Sequence, residues 1–149
     1  MVSILIEIIS NSVIRAAALA WAIAQALKVI LTLCISRKFD GSRMFGSGGM
    51  PSSHSAMVCA MMPVIGFHEG FTTSVFALAF CFAGVTMDDA AGVRRSTGKN
   101  AEVINHMLDD LATKGFHMDE ERLKELGGHT PLQVMAGALL GIFIGTLLA

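Results

Sequence analysis

From Pro131 to Leu148 the chain runs through eighteen residues without one charged side chain, and no other feature limits the possible folds as tightly. Such a stretch suits the hydrocarbon of a bilayer, which about 20 apolar residues cross as a helix that pairs all its backbone groups internally. Three further apolar stretches precede it. The first runs from about Ile14 to Ile35, interrupted by Arg15, Gln25 and Lys28; the second from about Ser55 to Phe67; the third from about Thr73 to Met87. Composition agrees, with 53% hydrophobic and 15% charged residues, where soluble domains carry about 25% charged. The expected fold is all-α: one membrane-embedded domain over residues 1–149, an integral bundle of about four transmembrane helices. The second span is short for a bilayer, so it is expected to tilt or to sit partly inside the protein.

Punctuation between the spans adds detail. The turn Gly66-Phe67-His68-Glu69-Gly70 predicts that spans two and three form a hairpin. Gly137, Gly141 and Gly145 recur at four-residue spacing, a small-residue face for close helix packing within the monomer or against a second copy. The polar stretch Asp88 to Gly128 contains an amphipathic pattern over Ala101 to Leu111, with Val103, Ile104, Met107, Leu108 and Leu111 on one side. Lys114 to Leu126 is mostly charged and predicts a solvated segment with a short helix. Cys34, Cys59 and Cys81 lie in apolar runs and read as small buried residues, without a zinc or disulfide spacing. Met1 to Ser10 has neither a basic start nor a small-residue cleavage site, so no cleaved signal peptide is read there.

Charge then orients the bundle. With four spans, the loop around residues 36–51 and the stretch 88–128 share one side. That side carries Arg37, Lys38, Arg43, Arg94, Arg95, Lys99, Lys114, Arg122 and Lys124. The opposite side, both termini and the 66–70 turn, carries no Lys or Arg on this reading. The positive-inside rule makes the basic side cytoplasmic. A net charge of −1 gives no support for a nucleic-acid partner.

Two histidine motifs fall on that basic side: Gly48-Gly49-Met50-Pro51-Ser52-Ser53-His54-Ser55 and Gly127-Gly128-His129-Thr130-Pro131. In each a glycine loop runs into a helix start, with Pro suited to the first helical position and Ser or Thr to the cap. Helix starts present unpaired N–H groups and attract phosphate; a histidine beside them moves a proton near neutral pH. Gln133 has two readings, as the far half of a Thr130-x-x-Gln133 capping box or as a group that orients His129. Arg94 and Arg95 suit bidentate phosphate recognition or anchoring to anionic lipid. Asp88 and Asp89 are a weak signal for Mg²⁺, and no metal site is predicted. Lys28, inside a span, either serves a site or snorkels to the edge.

These blocks resemble the divergent branch of the type 2 phosphatidic acid phosphatase and vanadium haloperoxidase superfamily. The resemblance rests on Gln25-x-x-Lys28, Gly48-Gly49-Met50-Pro51-Ser52-Ser53-His54-Ser55-Ala56, Asp89-x-x-Gly92-Val93-Arg94-Arg95 and Leu126-Gly127-Gly128-His129-x-Pro131-x-x-Val134-x-x-Gly137. It implies that His129 is the nucleophile that takes the phosphoryl group, and that His54 protonates the leaving alcohol. Lys28, Arg94 and Arg95, with Ser52, Ser53 and Gly49 of the helix-start loop, would hold phosphate oxygens. Three positions depart from the superfamily pattern. No Arg-Pro follows Lys28 at seven residues, Leu123 stands where an arginine precedes the nucleophile by six, and Gln133 replaces the acid that orients it. Asp89 is the nearest candidate for that acid.

The expected activity is hydrolysis of a lipid phosphomonoester without a cofactor, at the cytoplasmic face of the inner (plasma) membrane. A phosphatidate, a phosphatidylglycerophosphate or an isoprenyl phosphate would fit as substrate. The competing expectation is a non-catalytic membrane protein that binds anionic headgroups or phosphate. A stand-alone transporter is disfavoured, because no inverted repeat is present.

Overall fold

The computed structural model describes residues 2–36, 49–114, 123 and 128–149. Over these it holds six helices: α1 (Val2–Ser10), α2 (Ser12–Ser36), α3 (Ser53–Glu69), α4 (Ser74–Ala91), α5 (Val93–Thr113) and α6 (Pro131–Leu148). Stretches long and apolar enough to cross a membrane lie at Ser12–Cys34, Ser74–Thr113 and Pro131–Leu148. Helix α3, at 17 residues, rises about 25 Å at 1.5 Å per residue. It is the shortest of the four expected spans and the most buried. It packs against α2, α4 and α6 at once. Its shortness follows from that place, since protein rather than lipid covers it.

Backbones approach closely at the centre because the facing side chains are small. A Cβ on Gly137, Gly141 or Gly145 would overlap the carbonyl oxygen of Ser52, Ala56 or Ala60 respectively. This ladder pairs ascending numbers with ascending numbers, so α3 and α6 run parallel and start at the same end. Helix α2 runs the other way, and its first turn reaches the far end of α3 through Ser12 Oγ and His68 Nδ1, 3.2 Å apart. It turns Ala16, Ala20 and Ala24 inward, all fully buried with Ala56, Ala60 and Val64. In lipid there is little hydrophobic gain from helix association, so this small-residue packing does the holding.

The helix ends explain where the chain turns. Asn11 Oδ1 accepts from the N–H groups of Val13 and Ile14 and starts α2 after α1. The hairpin turn is later than expected: α3 continues through His68 and Glu69, and the reversal occupies Gly70 to Thr73, with Gly70 at φ 102°. Thr73 caps α4 by accepting from Phe76 N–H. Gly66 belongs to the helix, where the Phe71 ring covers it.

One helix was not expected, and three other expectations change. Residues 2–10 form a helix with no buried residue. Arg15 lies near the start of α2, in a groove with Ala18, Leu19 and Leu148 at the end away from the histidines, so that end does carry a cation. Cys59 is buried as expected, but Cys34 and Cys81 face outward on the bundle surface. The amphipathic pattern over 101–111 is the inner part of a longer helix, α5. Apart from Lys114 and Leu123, the segment predicted over 114–126 lies outside the described residues, as do Arg37, Lys38, Arg43, Arg122 and Lys124.

Candidate active site

Both histidine motifs do start helices, and the parallel run of α3 and α6 puts them together. Ser52 caps α3, accepting from Ser55 N–H at 3.4 Å and from Ser55 Oγ–H at 3.0 Å. Ser53 is therefore the first helical residue and Pro51 precedes the cap, two positions ahead of the first helical place the sequence suggested for it. Thr130 caps α6 with Pro131 at the first position. The two starts are tied directly: Ser52 N–H donates to the Gln133 carbonyl at 3.0 Å.

Gln133 fills both roles the sequence offered. Its side-chain Oε1 accepts from Thr130 N–H at 3.0 Å, closing the capping box, and lies 3.3 Å from His129 Nδ1. A backbone N–H can donate only to the oxygen of an amide, which fixes which way the Gln133 amide points. An oxygen facing Nδ1 in turn requires Nδ1 to carry the proton. The neutral ring then has its lone pair on Nε2. One glutamine thus starts the helix and selects the tautomer.

His129 is 2% exposed. Its N–H donates to Ala90 O at 3.1 Å, and a Cβ on Gly128 would overlap the backbone of Arg94 and Arg95. Glycine is required there because the loop lies flat on the α4–α5 junction. That contact brings the Arg94 backbone beside the His129 loop from 35 residues away in sequence. Arg94 Nε donates to Asp89 Oδ2 at 2.7 Å, a bond that does not use the terminal nitrogens of the guanidinium. Asp89 is engaged with Arg94, while the bond at His129 Nδ1 belongs to Gln133.

Lys28 is 2% exposed, on the inward stripe that Ala16, Ala20 and Ala24 begin. Gly49, at φ 89°, covers its stem, and a Cβ there would come within 2.9 Å of Lys28 Cγ. Lys28 therefore points into the bundle rather than snorkelling along its surface. Burial lowers the proton affinity of His129 below that of a free histidine. The Gln133 bond opposes this, and the charges of Lys28, His54 and Arg94 add to it. His54 sits in the first turn of α3, ahead of the membrane stretch, and is exposed. Partial burial, then Arg94 and Lys28, lower its proton affinity, and Asp89 raises it. The charges of Lys28 and Arg94 thus bear on both histidines. Arg95 is exposed beside them, and Ser53 is buried at the helix start. Among the described residues no three His, Cys, Asp or Glu side chains gather as a metal ion requires.

Two features escaped the sequence reading. The alanine stripe at four-residue spacing would have turned Lys28 inward. Asn105 on α5 is 5% exposed and grips the backbone of Leu123, donating to its carbonyl at 2.9 Å and accepting from its N–H at 3.1 Å. No local pattern announces that long-range clasp.

With this geometry in view, comparison with known proteins is informative. Residues 9–144 match the family described as the divergent PAP2 family, and the chain belongs to that family. It is also similar to a Bacillus subtilis (strain 168) protein described as "Uncharacterized membrane protein YuiD". The two are 39% identical over 153 residues, covering 96% of this chain and 97% of that one. No solved structure matches the chain.

Proposed function

We propose that this protein hydrolyses phosphomonoesters of membrane lipids through a phosphohistidine at His129. The observation that carries the reading is the pinned imidazole: buried, with its Nδ1–H held by Gln133 Oε1, and joined to a loop packed on the Arg94–Arg95 backbone. A neutral histidine with a directed Nε2 lone pair is a nucleophile, and surrounding cations suit a phosphate dianion.

In the first half-reaction Nε2 attacks phosphorus, the P–O bond to the lipid alcohol breaks, and the alkoxide takes the proton of His54. In the second, His54 accepts a proton from water as the oxygen attacks phosphorus, and His129 departs with phosphate released. Lys28 and Arg94, with Arg95, hold the equatorial oxygens. Bound phosphate also neutralises the cations that weaken His54 as a base, so substrate raises its proton affinity and readies it as an acid. The site opens on the cytoplasmic side of the plasma membrane, as the basic loops require.

Gln133 favours a second reading. A neutral amide orients an imidazole but does not stabilise an imidazolium as a carboxylate does, which suits a protein that binds lipid phosphate without cleaving it. Purified protein assayed against a lipid-phosphate panel separates the two. Turnover should be lost in His129→Ala with every substrate, by about 10³-fold or more. His54→Ala should be partly rescued by an aryl phosphate whose leaving group needs no proton. The acid limb of turnover should lie below the pH at which a free histidine titrates, because burial lowers the proton affinity of His129 and keeps Nε2 free until more acid conditions. Binding of lipid phosphate with no turnover at any pH establishes the second reading.

A further inference from the structure

Helix α5 has two faces of different fate. Gly98, Ala101 and Asn105 are buried, and Asn105 grips the backbone of Leu123. Val93, Ile104, Met107 and Leu111 form a second stripe, and these are 61%, 43%, 59% and 39% exposed. Among the helices, α5 touches α4 alone, so no other described helix covers this stripe.

Three observations name its occupant. First, the stripe begins at Val93, just past the end of α4, whose Phe80, Phe82 and Val85 are 61%, 54% and 70% exposed on the surface of a membrane bundle. Second, the helix axis breaks there. Gly92 has φ −101° and ψ −81°, and the Ala90 carbonyl, which an unbroken helix would give to Arg94, accepts from His129 N–H instead. Third, charge is graded along α5. Arg94, Arg95 and Lys99 crowd its beginning, and Glu102, Asp109 and Asp110 come later, so the cations sit at the membrane end, where headgroup phosphates lie.

We propose that α5 is an in-plane membrane-surface helix. It lies on the leaflet that the candidate site faces, with Val93, Ile104, Met107 and Leu111 sunk among acyl chains and its basic first turns on anionic headgroups. Helices of this kind bury their apolar face about 5–10 Å into the headgroup–acyl boundary. Because the His129 loop rests on the α4–α5 junction, this docking sets the depth of Arg94 and His129 relative to the phosphate layer.

The test reads depth rather than turnover, so it stands whatever the activity. Single cysteines at Ile104, Met107 and Leu111, and at Glu102 and His106 on the polar face, are spin-labelled in full-length protein free of native cysteines. The protein is placed in nanodiscs containing an anionic phospholipid. The ratio of oxygen to nickel-chelate accessibility should be several-fold higher at the three stripe positions than at Glu102 and His106. Equal nickel accessibility on both faces overturns the proposal. So does spin–spin broadening at the stripe that disappears on dilution with unlabelled protein, which assigns the face to a second copy.

Discussion

The α3–α6 seam and the α4–α5 elbow meet at His129 but are held in opposite ways. Along the seam, three glycines of α6 lie against three carbonyl oxygens of α3, and the helix starts share a backbone hydrogen bond. At the elbow, α4 is the one described helix that α5 leans on, and its contact with the site is the Gly128–His129 loop. The seam fixes His54 and His129 to each other; the elbow brings Arg94. On the proposed mechanism, a site divided this way holds its nucleophile and its acid rigidly, since these need sub-ångström placement. It would leave Arg94 on the element proposed to lie along the membrane surface. Glycine serves both regions by different means, for interlocking backbones in the first and for a flat loop contact in the second.

The largest effect expected from breaking the comparison comes at the seam. In Gly141→Leu the new side chain meets the Ala56 carbonyl, a backbone atom with no rotamer to give. Destabilisation should exceed about 3 kcal/mol and cost the folded state in detergent. Gly84, on α4, has nothing within 4 Å of its Cβ position, so Gly84→Leu should change stability by no more than about 1 kcal/mol. Thermal unfolding of the two purified variants measures the contrast. Equal tolerance at both sites would mean that the α3–α6 ladder does not hold the bundle.

A middle-sized effect tests the elbow. Arg94→Lys keeps a charge but loses the fork and its bond to Asp89, and charged hydrogen bonds contribute about 1.5–3 kcal/mol. Phosphate affinity, or kcat/KM where turnover is present, should fall about 10- to 100-fold, with thermal stability nearly unchanged because the pair is half exposed at 50% and 41%. A variant indistinguishable from the parent in phosphate binding removes Arg94 from the site.

What the sequence disclosed follows from how local each signal is. Span positions were legible because apolar length is a property of consecutive residues, and the bounds of α2, α4 and α6 fall close to those read. The capping box at Thr130 and Gln133 was legible for the same reason. The inward face of Lys28 was written in Ala16, Ala20 and Ala24, four residues apart, but polar interruption drew attention away from the alanines. Other features depend on contacts between distant segments. The Asn105 clasp on Leu123, the His129 bond to Ala90 and the approach of Arg94 have no local pattern. The exposure of Cys34 and Cys81 was misread because in a membrane bundle apolar neighbours do not mean the interior; the outer surface is apolar as well.

The smallest effect separates the two duties of Gln133. Thr130→Val removes the hydroxyl that accepts from Gln133 N–H at 3.4 Å while leaving Gln133 Oε1 on His129. It should cost about 1 kcal/mol of stability, the ordinary value of an N-cap, and leave the titration of His129 close to that of the parent. Gln133→Glu does the reverse. A carboxylate still accepts from Thr130 N–H, so the cap survives, and its negative charge at a helix start is favourable. Facing Nδ1, however, that charge favours the imidazolium, so the proton affinity of His129 must rise and the acid limb of any pH profile must move upward. Chemical shifts of His129 followed against pH, with unfolding midpoints of the same samples, read both quantities at once. Stability lost without a change in titration in Thr130→Val, and titration moved without lost stability in Gln133→Glu, is the pattern expected if one side chain does both jobs through one oxygen. An unmoved His129 titration in Gln133→Glu would mean that Gln133 only closes the helix, and the tautomer assignment would fall with it.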